Sequence, residues 1–237
     1  VDKGEIHIMH GTSDPLWQEG RKKNPNIYAE FSAPLAVSGY YLNTSKPPFN
    51  DILVRQAIAH AIDTKAYSDS MLITEGGGAA KGPIPSDVPG SVEVGAYKYD
   101  PEKAKQLLKE AGYENGLTLP KHYISSVGYV QKAMLYAQDQ LKKVGIELPL
   151  EQIDDTTYVQ NMRKGMNLIT YQAFTRIPHL IYWLHDVYYG PSSVGTPTGL
   201  INFSHYNKSD ELIEQLLVET DEEKAKQLGG QIIQQIQ

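Results

Sequence analysis

The sequence predicts an α/β fold, because segments of helical and of strand-like periodicity alternate along it. Two further observations support that class. Apolar stripes recur at helical spacing between recognisable caps and glycine stops. A chain of 237 residues buries a sizeable core without covalent staples, and suits one large domain or one domain plus part of another.

The first helix is expected from Ile52 to about Ser70, with Val54, Ala57, Ile58, Ala61 and Ile62 inward. Asn50 or Asp51 caps it, and Pro47-Pro48 fixes where it begins. A loop rich in Gly and Pro follows from Glu75 to Gly95. Asp100-Pro101-Glu102 then opens a short helix with a cap, a proline at its first position and an acidic first turn. Ala104, Leu107, Leu108 and Ala111 form its buried stripe, and Gly112 ends it.

A third helix is expected from about Val130 to Val144, stopped by Gly145. Ile146, Leu148 and Leu150 then alternate as a strand, which Pro149 places near an edge. Thr156 to Lys164 reads as a short helix and Leu168 to Phe174 as a strand. Leu180, Ile181, Leu184 and Tyr188 predict a helix after Pro178. Two more are predicted in the tail, Ser209 to Glu219 and about Glu222 onward, the last weakened by Gly229-Gly230 at roughly 1 kcal/mol per glycine.

Composition narrows the function classes. Hydrophobic residues make up 41% and charged ones 21%, as in an ordinary soluble globular protein. A net charge of -6 and a pI near 5.6 give no footprint for nucleic acid or for an anionic membrane. With no cysteine, disulfides, thiolate metal sites and a Cys nucleophile are excluded. No apolar run reaches membrane-spanning length and no leader sequence is present, so an exported protein would have lost its N-terminal region here. The 16 Tyr against 4 Phe suit half-wet surfaces such as binding clefts, or reflect a lineage preference.

Constellations for catalysis do not emerge. Gly76-Gly77-Gly78 lacks the Gly-Lys-Ser/Thr ending of a phosphate loop, and no Gly-x-Ser-x-Gly elbow occurs. His7 and His10, and His179 and His185, lack the spacing of a zinc helix. Asp154-Asp155 precedes Thr156-Thr157 and reads most simply as a helix cap. No metal and no cofactor is called for.

A run of segments in fixed order resembles one family. Tyr40-Tyr41-Leu42-Asn43, Lys46-Pro47-Pro48-Phe49-Asn50-Asp51 and Val54-Arg55-Gln56-Ala57-Ile58-Ala59-His60-Ala61-Ile62-Asp63 are similar to the signature of the extracellular solute-binding proteins, family 5. Gly4-Glu5-Ile6, Gly82-Pro83-Ile84-Pro85, Tyr99 to Gly112, Leu141 to Ile146 and Phe203-Ser204-His205-Tyr206-Asn207 extend the likeness. These residues are mostly scaffold, so they point to the fold more firmly than to the ligand.

The resemblance implies one lobe of a type II periplasmic-binding-protein, or venus-flytrap, fold, a mixed sheet flanked by helices. Residues 1–38 correspond to the tail of the first lobe and the crossover, and residues 39–237 to the second, ligand-binding lobe of an incomplete protein. The implied function is the extracytoplasmic binding component of an ABC importer, periplasmic or extracellular, with lipid anchoring to the membrane an option. It captures a peptide or a small polar or anionic solute, docks on a membrane permease, acts as a monomer and binds no nucleic acid. A ligand-sensing module of a transcriptional or signalling protein is the alternative. A hydrolase would need an acid/base pair that the sequence does not offer.

In peptide-binding members, the strand matching Leu168 to Phe174 runs into a Trp and an Asp that pairs with the ligand's amino group. Here Ala173 or Phe174 aligns with the Trp, and Arg176 with the Asp. A guanidinium there suits a carboxylate, phosphate or polyol, or else it faces solvent or pairs with an acid such as Asp186. The implied ligand-binding set is Asn43, Phe174, Arg176, His179, Tyr182, Trp183, Tyr189 and His205. Trp183 and Tyr188 also suit the core of their helix, and for Trp183 the core is the favoured place. Gly190 to Gly199 reads as a connector beside the cleft.

Overall fold

The computed structural model describes residues 36–71, 78–126 and 128–237, with positions 20, 23 and 24. The opening Gly4-Glu5-Ile6, His7, His10 and the pair Gly76-Gly77 lie outside the described residues.

The chain enters through strand β1, Ala36–Leu42, which runs unbroken across residues 38 and 39. Helix α1, Ile52–Ala61, starts where the Asp51 carboxylate accepts the Leu53 N–H. The long helix expected to Ser70 is two helices. Ile62 adopts extended backbone, and the Asp63 side chain accepts the Ala66 N–H at 2.8 Å, which restarts the chain as α2, Thr64–Met71. A local side-chain acceptor competes with the helical ladder there. Helix α3, Pro101–Glu110, follows the expectation: Asp100 caps Lys103 N–H, and Gly112 takes the left-handed backbone that ends it.

A βαβ unit follows. Strands β2, Leu117–Thr118, and β3, His122–Ser125, lead into α4, Gly128–Lys142, and then β4, Ile146–Glu147, and β5, Leu150–Ile153. β2 pairs with β4 and β3 with β5, both parallel. The strand expected over 146–150 is split at Pro149, which has no N–H to donate. Its carbonyl still accepts the His122 N–H at 2.8 Å, and Glu147 accepts Leu119 N–H at 2.9 Å, so the ladder continues across the break.

Helix α5, Asp155–Arg163, is capped by Asp154. Strand β6, Ile169–Thr175, pairs antiparallel with β1 from Leu42 opposite Ile169 to Ala36 opposite Thr175. Helix α6, Leu180–Tyr188, a short 3-10 turn at Gly190–Ser192, and helices α7, Asp210–Val218, and α8, Glu222–Ile236, complete the chain. Gly229 sits inside the unbroken α8, at a position where a Cβ would collide with Leu180 Cδ2 of α6.

Two cores result, with the β1–β6 ribbon between them. One gathers α1, α3, α4 and the parallel strands around Phe49, Met134, Leu141 and Ile146. The other gathers α6, α7 and α8 around Trp183, Leu184, Ile213 and Ile232. Ribbon alternation explains the division: Tyr40, Leu42, Ile169 and Tyr171 turn to the first core, Val37, Tyr41 and Phe174 to the second. The outcome is a mixed α/β architecture, as the sequence predicts.

Candidate functional site

The ribbon orders the candidate residues. At one end Asn43 N–H donates to Leu168 O at 2.8 Å, and Thr44 N–H donates to Ser204 O at 2.8 Å. At the other end Arg176 follows Thr175. Seven strand residues lie between, on the order of 20 Å along the ribbon. Asn43 and Arg176 therefore stand at opposite ends.

Asn43 is buried and closes a turn, its Oδ1 accepting from Ser45 N–H and from Ser45 Oγ. His205 lies at the same end, in left-handed backbone at φ 51°, with Nε2 against Gly165. Burial, with Lys46 nearby, lowers its pKa below the ordinary imidazole range. Tyr189 ends α6, and its hydroxyl donates to Glu214 at 2.8 Å. Phe174 and Trp183 are core residues rather than solvent-facing ones. Phe174 stacks on Phe203 with centroids 5.8 Å apart, and Trp183 is 0% exposed. The alternation of β6 and the inward stripe of α6 put them there.

Three of the expected residues follow the end of β6 closely along the chain, Arg176, His179 and Tyr182, and the His179 and Tyr182 rings lie 6.0 Å apart. Arg176 lies over the Phe174 ring at 5.8 Å from its centroid. Its Nε pairs with Asp186 Oδ2 at 3.1 Å and its Nη1 donates to Thr175 O at 3.0 Å. The pairing with Asp186 that the sequence leaves open is thus formed. The guanidinium keeps donors on Nη2 for a further acceptor. Asp186 also meets His185 Nδ1 through its other oxygen at 3.0 Å. His179 caps α6 by accepting Ile181 N–H, and Tyr182 stands beside it, 47% exposed.

A separate cluster, beside the first half of β6, holds residues that the sequence reading missed. Parallel strands β3 and β5 end at Ser125 and Ile153, and the carboxyl ends of such strands are where open α/β sheets bind ligands. Asp155 accepts from Ser125 Oγ, Ser126 N–H and Ser126 Oγ, which ties these ends together. Exposed Tyr129 stands over Tyr171, centroids 6.5 Å apart. Gln172 Nε2 reaches Tyr158 Oη at 3.3 Å and Met162 Sδ at 2.8 Å. Burial pushes the Tyr158 phenol up to about 12. The excess of tyrosine was the available signal, but not which tyrosines it concerned.

Among the described residues, no three His, Asp or Glu side chains converge as metal ligands. No helix among them is long and apolar enough to cross a membrane.

Comparison with known proteins adds four findings. The model of bacterial extracellular solute-binding proteins, family 5 Middle, matches residues 1–190. A glutathione-binding protein, GsiB, of Pectobacterium atrosepticum is 36% identical over 115 residues, which is 48% of this chain and 22% of that protein. The periplasmic binding protein DppA from Helicobacter pylori, in complex with the peptide STSA, superposes with a TM-score of 0.83 at 27% identity over 99% of this chain and 46% of DppA. The binding protein MoaA from A. tumefaciens R10, in complex with mannopinic acid, gives a TM-score of 0.78 at 28% identity, over 99% of this chain and 48% of MoaA. The chain thus spans about half the length of these solved relatives.

Proposed function

The chain belongs to the bacterial extracellular solute-binding proteins, family 5, and on that premise we propose that it is the second lobe of a two-lobed clamp serving an ABC importer. Residues up to 38 are the tail of the first lobe with the crossover, and residues 39–237 the second lobe. The clamp captures a peptide or a small polar or anionic solute outside the cytoplasm by closing over it, delivers it to a membrane permease, and makes or breaks no bond.

The observation that carries this reading is the family match across residues 1–190. The near-complete superposition on half of DppA and half of MoaA supports the lobe assignment. One of those relatives holds a peptide and the other an acid. An end that offers the Nη2 edge of Arg176 with exposed His179 and Tyr182 suits an acid, or a peptide held by its carboxylate.

A thermal-shift screen of the two-lobed protein against peptides, sugars, phosphorylated sugars and organic acids tests the reading. A rise in Tm with at least one peptide or anionic solute is expected, with the solute recovered unchanged. Conversion of the solute, or no rise with any class, contradicts it.

A further inference from the structure

Helix α6 turns one side away from the second core. Leu180, Trp183, Leu184, Val187 and Tyr188 are buried, while Tyr182, His185, Asp186 and Tyr189 follow at helical spacing on the other side. Arg176, just past β6, meets that side at Asp186. The Asp186 carboxylate is shared: one oxygen faces Arg176 Nε at 3.1 Å, the other His185 Nδ1 at 3.0 Å. One acid thus stands between two bases.

We propose that Arg176, Asp186 and His185 form a proton-coupled anion site, in which a proton on His185 balances Asp186 when an anionic solute takes the Nη2 edge of Arg176. The proposal rests on the reading of Arg176 as the group that meets the solute, and adds regulation to it. The site takes up an anion and a proton together.

Charge balance is the ground. Arg176 and Asp186 cancel each other, so an anion arriving at Nη2 leaves the group with an excess negative charge. The two side chains are 28% and 21% exposed, and an unbalanced charge so placed is poorly solvated. Histidine is the side chain that changes charge between pH 5 and 8, and His185 already touches the acid. Tyr189 lies against the imidazole with ring centroids 5.2 Å apart, and its hydroxyl donates to Glu214 of α7. Asp210 of α7 accepts the Gly190 N–H. Both α7 groups are acids, so neither supplies the missing positive charge. His179, at the start of α6, has its Nδ1 taken by the Ile181 N–H and its ring beside Tyr182. Gly229 of α8 and Gly90 meet α6 at Leu180, and Pro83 meets it at Tyr188, all on the buried side. By linkage, the anion tightens the proton and the proton tightens the anion by the same factor. Partial exposure screens the coupling and limits it to several-fold.

Calorimetric titration of the two-lobed protein with N-acetyl-Ala-Ala-Ala and with D-gluconate, at pH 5.5 and 8.0, tests the coupling. The only charge of that peptide is its carboxylate, ionised at both pH values. At least one probe is expected to bind on the order of 3- to 10-fold tighter at pH 5.5. Proton uptake should appear as a difference in heat between two buffers of unlike ionisation heat, a readout that needs no variant. His185→Gln removes the ratio, and His185→Lys shows at pH 8.0 the affinity that the wild type reaches at pH 5.5. His179→Gln keeps the ratio, whatever its affinity. The Tm of each variant without solute separates misfolding from lost coupling. Equal affinity at both pH values, or a ratio that survives His185→Gln, overturns the coupling and leaves capture at Arg176 standing. No binding of either probe overturns it as well. The reading of Arg176 falls separately, when the wider solute screen yields nothing or Arg176→Ala binds as the wild type does.

Discussion

His122 Nε2 accepts the backbone N–H of Ile169 at 3.0 Å, joining β3 to β6 through a side chain. Its Nδ1 donates to Pro120 O at 2.7 Å, so both ring nitrogens are committed and the imidazole is neutral. Asn167 reinforces the junction, accepting Tyr123 N–H and donating to Tyr123 O.

That relationship predicts a pH dependence of stability. Burial holds His122 below the ordinary imidazole value of 6.5. Between the folded value and 6.5 the unfolded chain binds the extra proton, so stability rises with pH across that window. It is complete above about pH 6.5 and lost as pH falls toward the folded value. His122→Ala leaves the Ile169 N–H buried without an acceptor and should cost about 2–4 kcal/mol at pH 7.5. Urea unfolding from pH 5 to 8 checks both, with the variant losing part of the acid-side slope.

Neighbouring glycines of α8 respond with opposite signs. Gly229→Ala drives a methyl into Leu180 and should destabilise by about 1–3 kcal/mol. At Gly230 the nearest atom to an added Cβ is Val92 Cγ1 at 3.9 Å, an ordinary contact. Gly230→Ala should stabilise by about 0.5–1 kcal/mol through helix propensity. Thermal unfolding of the two variants side by side is the measurement, and Gly229→Ala should cost less in a Leu180→Ala background than in the wild type.

The Arg176–Asp186 pair is mostly buried at its side chains, 28% and 21% exposed. A double-mutant cycle of Arg176→Ala and Asp186→Ala in urea should return a coupling near 1 kcal/mol that shrinks in high salt. So small a structural contribution leaves the fold intact, and a binding defect of Arg176→Ala then reports on ligand contact.

Much of the scaffold was legible because it is written locally. The caps at Asp51, Asp100 and Asp154 and the stop at Gly112 each use a contact within a few residues. The misses also have local causes: the Asp63 cap that divides the first helix, and Pro149 dividing a strand. The site was less legible, because it depends on register. No sequence window shows that β1–β6 pairing carries Asn43 and Arg176 to opposite ends, or that Tyr129 of α4 comes to stand over Tyr171 of β6. Phe174 looks like a ligand contact in sequence and turns inward only once the second core forms, whereas a core place for Trp183 was already readable in the stripe of its helix.

In the proposed clamp, the Arg176 end of the β1–β6 ribbon is half of an enclosure. Titrating one solute that stabilises the two-lobed protein into that protein and into the isolated 237-residue chain tests this most directly. Two lobes should bind at least about 100-fold more tightly than one, because the opposing wall supplies the missing contacts and excludes water. Arg176→Ala should weaken the two-lobed protein by about 10- to 100-fold, the loss of a charge-assisted hydrogen bond. Equal affinity of the isolated chain and the two-lobed protein would contradict the account.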